Sequence, residues 1–220
     1  MHANFWHERW KNNQIGFHQP SVNPSLLRYW PQLGISQGTV FVPLCGKSLD
    51  MVWLAEQGLQ VLGVELSRLA LTHFFEQQQL TPRITRQQDF EHWQAGPYTL
   101  LCGDFFQLTA AQLQAVNAVY DRAALVALPA SLRQQYSAAL QSLLPASAPI
   151  LLQTFEYDQA QMDGPPFSVD AAEVQTLFGH WRQIDCLSCA DTLAQNERFQ
   201  AKGLRTLHES VYQLRGNSDE

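Results

Sequence analysis

The chain has 220 residues, of which 45% are hydrophobic and 11% aromatic. A chain of this length is within the range of one large α/β domain and buries roughly 70% of its unfolded surface, so it needs no disulfide or metal ion to hold a core. Its formal charge is −6 at pH 7 and it has only three lysines, which disfavours nucleic acid and anionic membrane surfaces as partners.

Aromatic side chains are concentrated at the start of the chain, where the first 30 positions hold six of them. Trp6 and Trp10 are four residues apart, so they share one face if residues 4–11 form a helix, which Asn4 would cap. That face either packs on the domain or forms part of a wall around a ligand. The dipeptide Asn23-Pro24 predicts the cap and first residue of a second short helix.

From residue 39 onward, apolar runs alternate with amphipathic segments. Runs at 39–43, 60–66, 98–104, near 121 and at the segment following Pro149 predict five buried strands. Helices capped by Ser48 and by Ser67 are predicted, then a short helix at 112–114, and further helices from Ser131 to Leu143 and over 169–178. The polar segment with Pro82 and Pro97 is expected to be a surface excursion.

Two further β-type runs close the chain, at 181–189 and 204–214, and residues 216–220 are expected to be disordered. Strands that alternate with helices predict an α/β fold with an open, mostly parallel sheet covered on both faces.

Glu65 is the most informative residue at a predicted strand end. In such sheets a ligand binds at the carboxyl ends of the strands. Glu65 ends the second strand and follows Gly46 of the first turn by 19 residues. An acid about 20 residues past the first turn is suited to accept the two hydroxyls of a ribose. The alternative is a carboxylate in solvent or one that caps the next helix.

The first turn lacks the glycines of a phosphate site. A phosphate loop that ended in Gly46-Lys47-Ser48 would need a glycine where Phe41 stands, and the three-glycine dinucleotide fingerprint is also missing. Motifs of hydrolases, metalloproteases and kinases are missing too. A ribose-binding acid, a turn with one glycine and aromatic side chains suit S-adenosylmethionine, because it carries a ribose and a sulfonium cation but no phosphate.

The four cysteines have no framework spacing, which favours reduced thiols in a cytoplasmic protein. Cys186 and Cys189 form a single C-x-x-C pair, and a zinc site there would need distant help from His180 or His208. We expect no signal peptide and no membrane span: the longest charge-free stretch, residues 134–155, contains two prolines.

Four segments resemble the thiopurine S-methyltransferase family, and its bacterial members in particular: WHERWKNNQIGFH (6–18), VFVPLCGKSLDMVWLAEQGLQVLGVELS (40–67), the Asp121-Arg122 pair in VYDRAALVALP, and NERFQAKG (196–203). The resemblance implies a Rossmann-like class I methyltransferase fold, with a seven-stranded, mostly parallel sheet, helices on both faces and an N-terminal helical lid. It implies one domain over residues 1–215, in which residues 1–35 cover the substrate.

The resemblance also implies a role for individual residues. Those that would bind the cofactor are Trp10, Leu44, Glu65, Asp104, Phe105 and Arg122. Phe17 and Arg198 would line the acceptor pocket beside Arg122, and these three would position the acceptor, with no residue assigned as a catalytic base. Taken alone, Arg122 could instead form a structural ion pair with Asp121.

The implied activity is methyl transfer from S-adenosylmethionine to the sulfur of aromatic or heterocyclic thiols such as thiopurines, with S-adenosylhomocysteine as product and no metal. The implied protein is a cytoplasmic monomer whose partner is a small-molecule acceptor. One alternative is methylation of selenium or tellurium compounds, as in metalloid resistance. Another is a nucleotide-binding module without catalysis, against which the missing glycine fingerprint counts.

Overall fold

The computed structural model describes residues 3–216, and contacts divide them into two compact units. The first unit comprises the described chain up to Tyr120 together with residues 143–145. The second comprises residues 121–142 and the described chain from residue 146 onward.

The first unit is built on a sheet with a parallel centre. Its strand order is β3-β4-β5-β2-β1-β6; β1 is parallel to β2 and β6, and β2 is parallel to β5. The carboxyl ends of these four strands therefore lie at one edge. The strands are β1 (Thr39–Val42), β2 (Gln60–Glu65), β3 (Arg83–Gln87), β4 (Phe90–Ala95), β5 (Tyr98–Cys102) and β6 (Val116–Arg122), and the helices are α1 (Ala3–Lys11), α2 (Pro24–Tyr29), α3 (Asp50–Glu56), α4 (Arg68–Gln77) and α5 (Ala110–Leu113).

The continuous apolar runs of β1 and β2 are buried, as the sequence predicts. Val40, Phe41 and Val64 are fully buried, because strands in the middle of a parallel sheet are covered on both faces. Two predicted helix caps are also confirmed. The side chain of Asn23 accepts hydrogen bonds from the backbone N–H groups of Ser25 and Leu26, and that of Ser67 accepts one from Ala70.

The segment expected to be a surface excursion instead forms the hairpin of β3 and β4, which extends the sheet through antiparallel pairing with β5. The described chain thus has nine strands, where seven were predicted. The sequence conceals the hairpin because β3 is largely exposed and polar. Its apolar anchor is Trp93 of β4, which is buried and stacks on Phe75 of α4 at 6.0 Å between ring centres.

Two predicted caps are wrong. Asn4 lies inside α1, which begins at Ala3. Leu49, and not Ser48, stands at the cap position of α3, although the Ser48 hydroxyl does accept a hydrogen bond from the backbone N–H of Asp50.

The second unit contains an antiparallel sheet with the strand order β7-β9-β8. Gly216 ends β9, so the predicted disordered tail is wrong at that residue, and the rest of it, residues 217–220, lies outside the described residues. No described helix is both long and apolar enough to cross a bilayer. The elements are α6 (Ala130–Leu143), β7 (Ile150–Glu156), α7 (Ala171–Phe178), β8 (Arg182–Asp191), α8 (Glu197–Gln200) and β9 (His208–Gly216).

Candidate active site

The Glu65 carboxylate is hydrogen-bonded to two turns at the edge of the first unit where the parallel strands have their carboxyl ends, here called the carboxyl edge. It is the last residue of β2 and only 6% exposed. Its Oε2 accepts a hydrogen bond from the backbone N–H of Gly46 at 2.9 Å, and its Oε1 accepts one from Ser67 at 2.7 Å. The turn after β1 and the start of α4 are therefore fastened to one carboxylate.

Burial raises the pKa of Glu65 to about 7, because the charged form loses solvation, while the N–H groups of Ser67, Gly46 and Leu66 act in the opposite direction. A carboxylate offers about four lone-pair sites, and these two hydrogen bonds leave room for more donors. Glu65 can thus support both turns and still accept a pair of neighbouring hydroxyls, as a ribose presents them.

The turn between β1 and α3 has a left-handed backbone at two positions, one of which is not a glycine. Leu44 has a φ of +47° and Gly46 a φ of +53°, so two positions lie in the left-handed region. A Cβ atom added to Gly46 would lie 3.3 Å from Cζ2 of Trp10. The indole of Trp10 thus lies directly against this turn, and the glycine permits the close approach.

The same turn is a poor site for a phosphate. The N–H of Gly46, which a phosphate loop would direct at its ligand, is donated to Glu65. An anionic group placed there would meet a buried carboxylate and not a cluster of free donors. The geometry therefore fits a ligand part that carries hydroxyls and no phosphate.

Aromatic rings from the N-terminal segment cover this edge. Trp10 is 4% exposed and meets Phe17 edge to face at 5.5 Å between ring centres. Phe17 also meets Trp6 at 5.6 Å, and α1 packs against α4. The aromatic face therefore packs on the first unit, and its ring at Trp10 borders the turn at Gly46. Its contact with a ligand stays a prediction.

Asp104 and Phe105 follow β5 at the same edge. The N–H of Gly103 donates to the backbone oxygen of Glu65 at 3.0 Å, which fixes the chain just before Asp104. The exposed carboxylate of Asp104 accepts a hydrogen bond from Phe106 N–H at 3.0 Å and so caps a short 3-10 helix. Phe105 is buried, whereas Asp104 is a polar residue that is exposed at this edge.

The two predicted arginines belong to the second unit. Arg122 is the half-exposed last residue of β6. Its neighbour Asp121 is fully buried, accepts hydrogen bonds from Tyr136 Oη at 2.7 Å and Leu125 N–H at 3.1 Å, and has a pKa raised to about 6 by burial. Arg198 is exposed on α8, and its guanidinium lies 5.9 Å from the ring centre of Phe199.

Six of the predicted site residues lie in the first unit: Trp10, Phe17, Leu44, Glu65, Asp104 and Phe105. Contacts connect Phe17 to Trp10, Trp10 to the turn at Gly46, and that turn to Glu65. One buried residue of this region was missed. Asp50 is 1% exposed and accepts hydrogen bonds from Asn23 N–H at 2.8 Å and from Tyr120 Oη at 3.1 Å. No local signal could have revealed it, since its partners are 27 and 70 residues away.

The chain is similar to known proteins over nearly its whole length. The family model described as Thiopurine S-methyltransferase matches residues 1–217. The chain belongs to the thiopurine S-methyltransferase family. Among similar relatives, the thiopurine S-methyltransferase of Pseudomonas fluorescens (strain Pf0-1) is 52% identical over 98% of this chain and 100% of its own length. That of Nitrosospira multiformis is 51% identical over 97% of this chain and 98% of its own length. These matches confirm the family that the sequence motifs indicate.

Solved structures confirm the Rossmann-like methyltransferase fold at low identity. The 1,6-didemethyltoxoflavin-N1-methyltransferase of Burkholderia thailandensis, solved with S-adenosylhomocysteine, aligns with a TM-score of 0.66 and 14% identity over 98% of this chain and 87% of that chain. A SAM-dependent methyltransferase from Anabaena variabilis aligns with a TM-score of 0.64 and 12% identity over 98% of this chain and 95% of that chain. In residues 3–216, no group of three or more His, Cys, Asp or Glu side chains is arranged to hold a metal ion.

Proposed function

We propose that this protein transfers the methyl group of S-adenosylmethionine to the sulfur of aromatic or heterocyclic thiols, thiopurines among them. The observation that carries the proposal is the match to thiopurine S-methyltransferases that are about 50% identical over nearly the whole chain. The carboxyl edge of the first unit supports it independently, because it offers a buried acceptor for hydroxyls and no phosphate site.

S-adenosylmethionine supplies an electrophilic methyl group on a sulfonium, which a soft nucleophile attacks in line. In the proposal, the Glu65 carboxylate accepts the ribose hydroxyls, and Asp104 and Phe105 flank the adenine. Leu44 borders the methionine part. The indole of Trp10 lies against the cofactor, where an aromatic face attracts a cation by roughly 0.5–2 kcal/mol.

In the proposal, Phe17, Arg122 and Arg198 position the acceptor. The positive charge of the two arginines favours a thiolate over a neutral thiol, and a heterocyclic thiol is already partly ionised near neutral pH. No general base is assigned. The protein mainly holds the sulfur in line with the methyl group, which is worth roughly 7–11 kcal/mol of the barrier.

The test is turnover of 6-mercaptopurine with S-adenosylmethionine, with the methylated product identified by mass spectrometry. A selenium acceptor under identical conditions tests the alternative of metalloid methylation, which the names of the relatives do not favour. Calorimetry with S-adenosylhomocysteine and with NAD tests the non-catalytic nucleotide module. Binding of NAD in preference to S-adenosylhomocysteine, or no turnover of any thiol, would overturn the proposal.

We also propose that residues 1–215 act as one methyltransferase domain with residues 1–35 as its lid, and that the protein is a cytoplasmic monomer without nucleic acid or membrane partners. The net charge of −6 and the three lysines support the last point. Light scattering tests the monomer, and an electrophoretic mobility assay with random nucleic acid tests the partner prediction.

A further inference from the structure

Two thiols lie on the exposed edge of the sheet in the second unit. Cys186 and Cys189 are free and exposed, and both belong to β8, the edge strand of the β7-β9-β8 sheet. In a regular strand, two residues that are three positions apart point to opposite faces, because side chains alternate. A C-x-x-C pair in a strand would therefore normally be split between the faces.

A β-bulge removes this separation. Cys186 pairs with Tyr212 of β9, but the register then shifts, so that Ser188 pairs with Val211 and Cys189 with Ser210. Leu187 is the additional residue of the bulge. Residues directly opposite each other share a face, and Tyr212 and Ser210 are two positions apart on β9. Cys186 and Cys189 consequently point to the same face of the sheet.

The spacing of the two thiols suits a bridging ion better than a disulfide. Because their partners are two residues apart on β9, the two Cα atoms are separated by about 6.7 Å along the strand. A Cα separation of about 6.7 Å is at the long end of the range of disulfides, about 4.4–6.8 Å. Two metal–sulfur bonds of about 2.3 Å hold the sulfurs about 4.6 Å apart, against about 2.05 Å in a disulfide. Cys186 Sγ already lies toward its neighbour, since it donates to the backbone oxygen of Ser188 at 3.5 Å.

The surroundings of the two thiols indicate that both lie near Tyr212, and they favour a cationic ligand. Burial raises the pKa of Tyr212 and a hydrogen bond with Ser210 acts in the opposite direction, while Cys186, Cys189 and Glu156 add smaller electrostatic contributions that raise it. Both sulfurs are therefore within electrostatic reach of the same phenol. The Glu156 carboxylate adds negative charge, which favours a cation over an anion at this face.

We propose that Cys186 and Cys189 form a two-thiolate site for a soft metal ion that prefers two ligands, such as Hg²⁺ or Cu⁺. Thiolates select soft ions, and two ligands are too few for tetrahedral zinc. On binding, the two S–H groups each release a proton to solvent and two metal–sulfur bonds form. Neither the metal nor the sulfur changes oxidation state, so the step needs no oxidant. The site is independent of the proposed methyl transfer.

The test uses Hg²⁺ as the probe on the reduced full-length chain. One equivalent is added in competition with a small-molecule thiol, and native mass spectrometry gives the stoichiometry. Cys186→Ser and Cys189→Ser each remove one ligand. The matched control is the double variant Cys189→Ser with Ser188→Cys, which keeps two cysteines on β8 but places the second on the opposite face. Cys45 and Cys102 remain in every variant, so their contribution cancels.

We expect one Hg²⁺ per chain in the unaltered protein, and an affinity at least about 100-fold lower in both single variants, because two preplaced ligands act as one bivalent site. The double variant should resemble the single ones. Equal affinity of the double variant and the unaltered protein would overturn the proposal, as would an ion that bridges two chains. A Cys186–Cys189 disulfide that forms in air without metal would overturn it as well.

Discussion

At the scale of single residues, Glu65 has a structural role that is separate from its proposed role in binding. Its carboxylate is hydrogen-bonded to two backbone N–H groups, from Gly46 and Ser67, so part of any mutational effect will be on stability. The sequence located this acid by its distance from the first turn. It could not reveal the hydrogen bond to Gly46, because that contact exists only once β1 and β2 lie side by side.

Replacing Glu65 by alanine should lower the affinity for S-adenosylhomocysteine by about 100-fold, since two charge-assisted hydrogen bonds to hydroxyls would be lost. The variant should also be less stable, because the two N–H groups lose their acceptor. Isothermal calorimetry measures the affinity, and Glu56→Ala, an exposed carboxylate at the end of α3, is the control. Unchanged affinity would remove Glu65 from the proposed ribose site.

The affinity for S-adenosylhomocysteine should also depend on pH. The pKa of Glu65 is raised to about 7 in the ligand-free protein, and the ribose hydroxyls bind its charged form. Below about pH 7, binding must therefore release a proton from Glu65, and the affinity should fall by up to tenfold for each pH unit. Calorimetry at pH 6 and pH 8 measures this. Glu65→Gln should bind weakly at both values, and a pH dependence that persists in it would contradict the assignment.

At the scale of elements, α1 depends on tertiary contacts for its position. It is a nine-residue helix, too short to be stable alone in water. Trp10 lies against the turn at Gly46, and Phe17 lies against Trp10. The spacing of Trp6 and Trp10 predicted a helix with one aromatic face. The element that this face covers followed only from the three-dimensional structure.

Deleting residues 1–18 should abolish methyl transfer to 6-mercaptopurine, because Trp10 and Phe17 are removed from the proposed site. The sheet of the first unit has its own buried core, so the truncated chain should still unfold cooperatively in urea. Deletion of residues 217–220, which carry none of the predicted site residues, is the control. Full turnover in the N-terminal truncation would reject the lid.

Asp50 holds the beginning of α2 to β6 through Asn23 and Tyr120. Asp50→Ala should lower the free energy of unfolding by about 2–4 kcal/mol, because it leaves a half-buried N–H and a buried hydroxyl without this acceptor. Tyr120→Phe removes only one of the two bonds and should cost about 1 kcal/mol. Urea denaturation compares the two variants. If Asp50→Ala costs no more than Tyr120→Phe, the bond to Asn23 contributes nothing.

At the scale of the whole molecule, two buried acids link folding to pH. The pKa values of Glu65 and Asp121 are raised to about 7 and about 6, above their ordinary values near 4, mainly by burial. A raised pKa means that the folded state holds its proton more tightly than the unfolded state. The stability that this gives is complete below about pH 4 and is lost as the pH rises through 6 and 7.

Without ligand, the protein should therefore become less stable from pH 5 to pH 8, by at most about 1.4 kcal/mol per pH unit for each acid. Thermal unfolding across this range measures the effect. Glu65→Gln should show a flatter profile, because one of the two titrating groups is gone. A stability that rises steadily from pH 5 to pH 8 would contradict the burial of these carboxylates.

The hairpin of β3 and β4 marks where prediction from the sequence failed. Strands at the middle of a parallel sheet are buried on both faces and read as continuous apolar runs, so β1 and β2 were predicted. An edge hairpin keeps much of its surface in water, and Arg83, Thr85 and Arg86 look like a loop. The burial of Phe90, the stacking of Trp93 on Phe75 and the pairing of β4 with β5 explain why the segment is ordered.

Local patterns and spacing along the chain were enough to predict the alternation of strands and helices, the family, and Glu65 as the acid that ends the second strand. The tertiary structure alone decided that Trp10 covers Gly46, that Asp50 joins Asn23 to Tyr120, and that Cys186 and Cys189 share a face. The physical reason is the same in each case. The partners are far apart in sequence or are related by a bulge, and a local pattern carries no information about which strands pair or in which register.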